Sequence, residues 1–205
     1  PKTAGTTIEA SIMKASKLHP NDTRYSGWGK GNKNLTCANK VDPNGWFRCR
    51  MRTGPTCSAW HVPPAEDDLV RNTYEQCDTF CVPRHPVNRL VSEWHFRNSG
   101  QDACNLDAFT AWATGIFKQT ARERLFDADC HVLPQSEYLP ACQHIVRYEH
   151  LREDFPRLMK AYNLDVNLTG REFSGKRCAN WKINATLLEL VRQHYAEDYE
   201  LLGYS

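Results

Sequence analysis

Apolar residues near the start of the chain fall at helical spacing. Ile8, Ile12 and Met13 stand at i, i+4 and i+5, which predicts an amphipathic helix beginning about Thr6 or Thr7. From residue 21 to 55 the periodicity dissolves into a stretch rich in Gly, Asn and Lys, with one short strand predicted over 46–51. Arg48, Arg50 and Arg52 alternate along it, so one face would be basic. Long irregular excursions tend to be functional or cross-linked, and Cys37, Cys49 and Cys57 are available to tie this one. Residues 57–64, CSAWHVPP, form an extended segment that ends in a loop at two prolines.

Periodicity returns beyond that loop. A short helix is predicted over 67–74, a buried strand over 77–83 (CDTFCVP) and a helix over 87–96 (VNRLVSEWHF). Residues 105–125 predict a longer helix with Phe109, Trp112, Ala113, Ile116 and Phe117 on one face. A loop over 130–139, a short strand over 143–148, a helix over 153–162 and a long helix over 186–202 complete the chain. Strands alternating with helices predict an α/β fold, a parallel sheet flanked by helices.

Composition narrows the class. A chain of 205 residues, 40% apolar, can bury one full core and is expected to form a single domain. A net charge of +2 speaks against bulk nucleic-acid binding, so any anion must be held locally. No run approaches the roughly 20 apolar residues of a membrane span. Nine cysteines are many, and the lone C-x3-C of Cys77 and Cys81 has no second pair to make a zinc signature. Four glycosylation sequons, at Asn21, Asn34, Asn167 and Asn184, exceed the roughly 1.5 that chance would give. Cysteines and sequons together predict an oxidising, secretory-pathway compartment.

Two stretches carry the chemistry of anion sites. Lys2, Thr3, Ala4, Gly5, Thr6 and Thr7 form a glycine-containing turn that feeds a helix N-terminus, where free N–H groups and the helix dipole favour an anion. A plain capped helix start accounts for the same residues equally well. The Walker pattern is absent, because Lys2 precedes Gly5. The second stretch, RHPVNRLVSEW at 84–94, follows the predicted strand, and Pro86 suits a first helical position. Arg84 and Ser92 offer a guanidinium and a hydroxyl suited to a phosphate monoester, although an arginine paired on a helix surface is commoner.

Taken as a pair, in this order and each before a helix, the two stretches resemble a known family. PKTAGTT resembles the 5′-phosphosulfate loop of sulfotransferases, and RHPVNRLVSEW their 3′-phosphate motif. HVLPQSEYL at 131–139, IVRYEHLREDFPRLM at 145–159 and the closing YAEDYELLGY extend the likeness over most of the chain, least over 21–65. The pattern is closest to the Golgi-lumenal carbohydrate O-sulfotransferases of heparan and chondroitin type. The resemblance implies a P-loop-like parallel α/β sheet, the donor 3′-phosphoadenosine 5′-phosphosulfate with adenosine 3′,5′-bisphosphate as product, no metal, and a hydroxyl acceptor, most readily a glycan. It also implies a strand upstream of Pro1, and a membrane anchor is expected there too.

Roles follow from the resemblance. Lys2 would stabilise the leaving phosphate, with Thr3, Ala4, Gly5, Thr6 and Thr7 cradling it. Arg84 and Ser92 would hold the 3′-phosphate, and Lys176 and Arg177 would belong to a loop over the donor. Candidate bases are His61, His131, His95 and Glu93. His61 is preferred, because its loop is expected at the carboxyl edge of the sheet, where open α/β folds bind ligands. Glu93 and His95 are expected to face substrate or solvent, and Gln135 and Ser136 to contact donor or acceptor. A Cys130–Cys142 disulfide would close a 13-residue ring, worth about 3 kcal/mol in the chain-entropy model. Two other classes stay open: a non-catalytic glycan-binding protein on the same fold, and a P-loop kinase-like phosphotransferase.

Overall fold

The computed structural model describes residues 4–16, 40–41, 47–50, 56–58, 61–98, 102–118, 129–170, 178 and 181–205. The first helix, α1 (Gly5–Ser16), forms where the early apolar spacing predicts it. Asp67 caps α2 (Asp68–Glu75), its Oδ1 accepting the Val70 N–H at 3.0 Å. Pro86 opens α3 (Pro86–Arg97), where a missing N–H breaks no helical bond. Asn105 caps α4 (Leu106–Lys118) through the Ala108 N–H at 3.0 Å; the predicted extension of α4 over 119–125 lies outside the described residues.

A small parallel sheet organises the middle of the single domain. β4 (Phe80–Cys81) lies parallel to β5 (His144–Ile145), Phe80 opposite His144 and Cys81 opposite Ile145. The carbonyls of Thr79, Cys81 and Pro83 accept from the N–H groups of His144, Val146 and Tyr148, so pairing outruns the assigned strands. Both strands leave the sheet at the same end, β4 into α3 and β5 into α5 (Leu151–Ala161). The strand expected to be buried is only half so. Phe80 and Cys81 are partly covered and Cys77 is exposed, because β4 has a strand on one side alone among the described residues.

A second sheet, which periodicity does not predict, joins β1 (Lys40–Val41), β2 (Phe47–Arg50) and β3 (Thr56–Ser58) in antiparallel order. Its middle strand is the one expected over 46–51. Cys49 stands opposite Cys57.

Two cores hold the helices. Leu90 and Trp94 of α3, Phe109 and Ala113 of α4, Val132, and Leu187, Val191 and Tyr195 near the C-terminus form one. Ile8 of α1, Val146, Leu151, Phe155 and Met159 of α5, and Val166 form the other. Ser11, fully buried in α1, donates to the Thr7 carbonyl at 2.7 Å and accepts the Thr169 N–H at 2.9 Å, which fixes α1 against the 164–169 segment. These contacts set where the α1 N-terminus points.

The single long helix expected over 186–202 is instead two, α6 (Ala185–His194) and α7 (Ala196–Leu202), broken at Tyr195. The buried Tyr195 hydroxyl donates to the Val132 carbonyl at 2.7 Å, and the bend beyond it aims Asp198 at the backbone of residues 135–136. Asn184 caps α6, its Oδ1 accepting the Leu187 N–H at 2.8 Å. Among the described residues no helix is long and apolar enough to cross a membrane.

Three disulfides tie the described chain: Cys57–Cys130, Cys81–Cys142 and Cys104–Cys178, with Cα separations of 5.9, 5.6 and 5.3 Å, inside the usual span. The Cys130–Cys142 ring is therefore not formed. Parallel pairing brings Cys142, just before β5, against Cys81, while Cys130 packs beside β3 and takes Cys57.

His194, at the end of α6, gives the fold a pH response. Burial first, then the Arg89 guanidinium, lowers its pKa from 6.5 to about 4, while Asp198 acts the other way. Its ring packs on Phe117 and Tyr195. The unfolded chain thus binds a proton that the folded chain refuses, and stability rises with pH across that interval. The contribution is full above pH 6.5 and is lost as pH falls toward about 4. His194→Gln is expected to flatten part of this acid-side slope in unfolding midpoints measured across the interval; an unchanged slope would show that His194 does not carry it.

Candidate active site

Four side chains from three distant segments form a connected line at one side of the first core. Asp129 Oδ2 lies 2.9 Å from His61 Nδ1, His61 Nε2 lies 3.3 Å from His131 Nε2, and His131 Nδ1 lies 2.7 Å from Glu93 Oε2. Arg97, one turn after Glu93, donates from Nε to Glu93 Oε1 at 2.5 Å. The Cys57–Cys130 disulfide makes this possible by clamping β3 beside the 129–131 segment.

Asp129 is held from three directions. Its Oδ1 accepts the Ser58 N–H and its Oδ2 the Ser58 hydroxyl, both at 2.6 Å, besides the contact with His61. Asp129 and Cys130 both sit in the left-handed region, at φ of 56° and 62°. A non-glycine residue there is strained by on the order of 1–3 kcal/mol and persists only where its surroundings fix it. Here the disulfide and the Ser58 bonds do so, and the outcome is a carboxylate aimed at His61.

Glu93 and His131 are set by the first core. Glu93 follows Leu90 on the inner side of α3, and its side chain is 1% exposed. The expectation that it faces substrate or solvent is corrected: Arg97 gives this buried carboxylate the counter-charge that burial demands, and His131 Nδ1 lies within hydrogen-bond distance of it. Arg89, equally buried, donates to the His131 and Leu133 carbonyls at 3.3 and 2.7 Å and lies 3.9 Å from Asp198. Asp198 in turn accepts the N–H groups of Gln135 and Ser136 at 2.9 and 2.8 Å. The segment carrying His131 is thus pinned at both ends. Tyr138, also buried, donates to the His61 carbonyl at 2.7 Å and locates the other imidazole.

The electrostatics fix the tautomers. Burial alone would raise the Asp129 carboxyl, but hydrogen bonds from His61 and Ser58 outweigh it and hold the group ionised well below its usual range. Glu93 follows the same logic, with His131 and Arg97 overcoming its burial. An ionised carboxylate has no proton to give, so Nδ1 of each imidazole carries the hydrogen and donates. Nε2 of His61 is left as an acceptor. Burial also lowers His61 to about 4, the Asp129 bond opposing it, so the ring is neutral at physiological pH.

The phosphate candidates lie elsewhere in the fold. Arg84 sits at the carboxyl end of the β4–β5 ladder, its guanidinium 4.1 Å from the centre of the Tyr148 ring. Its backbone exchanges bonds with the Gln135 amide, the Arg84 N–H to Oε1 at 2.8 Å and Gln135 Nε2 to the Arg84 carbonyl at 2.9 Å. Gln135 also donates to Asp198 at 3.1 Å, so its amide is engaged in holding the chain. Ser92 is half-buried two turns into α3, and Ser136 is buried with its hydroxyl unpartnered among the described residues. Among the described residues the first helical bond of α1 is Ile8 N–H to Ala4 carbonyl, and the N–H groups of Gly5, Thr6 and Thr7 precede it. His95 packs on Trp181, its Nε2 3.3 Å from the Cys178 sulfur, away from the His61–His131 line. Lys2, Thr3, Lys176, Arg177, Asn21 and Asn34 lie outside the described residues.

Asp129, Tyr138 and Asp198 are absent from the sequence reading, which holds Arg89 only as the second arginine of the 3′-phosphate motif. Only Asp198 has a signal in the sequence: it continues the Leu187, Val191, Tyr195 ladder at i+3, a charge on a face that should be apolar.

The model of the Sulfotransferase family matches residues 1–205, and the chain belongs to that family. No curated protein and no solved structure matches it.

Proposed function

We propose that the chain transfers a sulfonate group from 3′-phosphoadenosine 5′-phosphosulfate to a hydroxyl of a carbohydrate, with His61 as the base. The supporting observation is the imidazole pair whose Nδ1 hydrogens are both committed to carboxylates. That commitment makes Nε2 the basic atom of His61.

The start of α1 supports this donor. Among the described residues, three N–H groups precede the first helical bond of α1 and no atom lies within 4 Å of a Cβ placed on Gly5, and no acidic residue stands in that turn. Gly5, Thr6 and Thr7 would hold the 5′-phosphate through these donors, with Lys2, Thr3 and Ala4 completing the loop. Arg84 and Ser92 would hold the 3′-phosphate, and Lys176 and Arg177 would close over it. When bound, the donor supplies an electrophilic sulfonate on a phosphate leaving group. His61 takes the acceptor proton at Nε2, and Asp129 stabilises the imidazolium through the Nδ1–H it already accepts. His131, turned by Glu93, places its own Nε2 3.3 Å from that atom.

A lumenal setting fits the three disulfides, and Asn167 and Asn184 are exposed as glycan attachment would need. The Asn184 cap uses Oδ1 and leaves its amide nitrogen for a sugar.

Donor identity is tested by thermal shift. Adenosine 3′,5′-bisphosphate is expected to raise the melting temperature well above the effect of AMP, because Arg84 and Ser92 need a 3′-phosphate to bind. Equal shifts would remove the basis for this donor.

A further inference from the structure

We infer that His61 and His131 form a binding site for one divalent transition-metal ion, zinc or a cation of its class, through their two Nε2 atoms. Both rings are presented as metal-ligating histidines are: each Nδ1 donates to a carboxylate, Asp129 at 2.9 Å and Glu93 at 2.7 Å, which turns Nε2 outward as a lone-pair donor. The two Nε2 atoms then meet at 3.3 Å.

The separation has the right size. Zinc–imidazole bonds of about 2.0–2.1 Å in a tetrahedral arrangement place the two nitrogens about 3.3–3.4 Å apart. His61, Asp129 and His131 offer ligand atoms within 4.8 Å of one another. The His61 and His131 side chains are 16% and 8% exposed, so the ligand atoms sit in largely dry surroundings. The family resemblance implies no metal for the reaction, and none is assigned to it here. Occupancy would instead block the base, a consequence that rests on the role proposed for His61.

The test uses the intact, oxidised chain. Cobalt(II) is titrated alone and followed by its visible tetrahedral absorption bands, then displaced with zinc, and zinc stoichiometry is read by calorimetry. One ion per chain is expected. His131→Gln and His61→Gln should each lose the site, while Asp129→Asn and Glu93→Gln should weaken it about 10–100-fold, the usual effect of removing a partner behind a ligand. His144→Gln, on a histidine outside the cluster, should bind as the parent does, and circular dichroism identifies any variant that has not folded. Absence of saturable binding, or unchanged binding by folded His61→Gln and His131→Gln, would overturn the site. Binding that inhibits transfer and reverses with chelator supports both the site and the base. An ion that binds without inhibiting would leave the site standing and overturn His61 as the base.

Discussion

Replacing His61 with alanine is expected to lower sulfonate transfer by about 10²–10⁴-fold, the usual contribution of a positioned base, while bisphosphate affinity stays nearly unchanged. The separation follows from geometry. His61 is held by Asp129, Tyr138 and His131, and none of these belongs to the α1 turn or to the strand-end corner at Arg84. Arg84→Ala is expected to do the reverse, weakening bisphosphate by about 1.5–3 kcal/mol, the scale of a charged hydrogen bond. Kinetics and bisphosphate titration on each folded variant read the two effects separately. Near-normal turnover of His61→Ala would move the base to His131 or Glu93.

The second large effect concerns the support of that site. Asp198→Ala is expected to destabilise the chain by about 3–5 kcal/mol, the cost of breaking a buried charge pair by removing one partner. Arg89 would lose the carboxylate 3.9 Å from its buried guanidinium, and the N–H groups of Gln135 and Ser136 would lose their acceptor. Domains are typically stable by about 5–15 kcal/mol, so such a loss takes a large share of the whole. Urea unfolding of the single variant and of Asp198→Ala with Arg89→Met checks the origin. The double variant should be less destabilised than the two changes summed, because the groups interact. A loss below about 1 kcal/mol for Asp198→Ala would place the pair among weak surface contacts and contradict its role in holding the 131–136 segment.

Local elements were legible where one physical signal governs them. Val87, Leu90, Val91 and Trp94 mark α3 by spacing alone, Pro86 marks its start, and Asp67 marks the start of α2. The break at Tyr195 was hidden because the apolar ladder runs up to it and resumes at Leu202. What bends the chain there is a tertiary bond to Val132, which periodicity does not encode. Disulfide pairing failed for a related reason. Cys130 and Cys142 are near in sequence, yet parallel β4–β5 pairing and the β3 contact bring each to a cysteine more than 60 residues away.

The site divides in the same way. His61 and His131 stand out as residue types, but their meeting depends on a disulfide that closes a separation of 73 residues. Glu93 was visible as a carboxylate in the right helix, and only its buried phase on α3 shows that it serves His131. Asp129 carries no sequence signal, since its role comes from a left-handed turn that Ser58 and Cys57 hold in place.

The central claim is that this chain moves a sulfonate group from a 3′-phosphorylated nucleotide donor to a hydroxyl. Incubation of the purified chain with radiolabelled 3′-phosphoadenosine 5′-phosphosulfate and a panel of glycans tests it most directly. Label should pass to at least one glycan, with adenosine 3′,5′-bisphosphate released in equal amount and transfer lost in His61→Ala. Tight bisphosphate binding by folded protein with no label transferred to any glycan would contradict a catalytic carbohydrate sulfotransferase and leave a binding protein on the same fold.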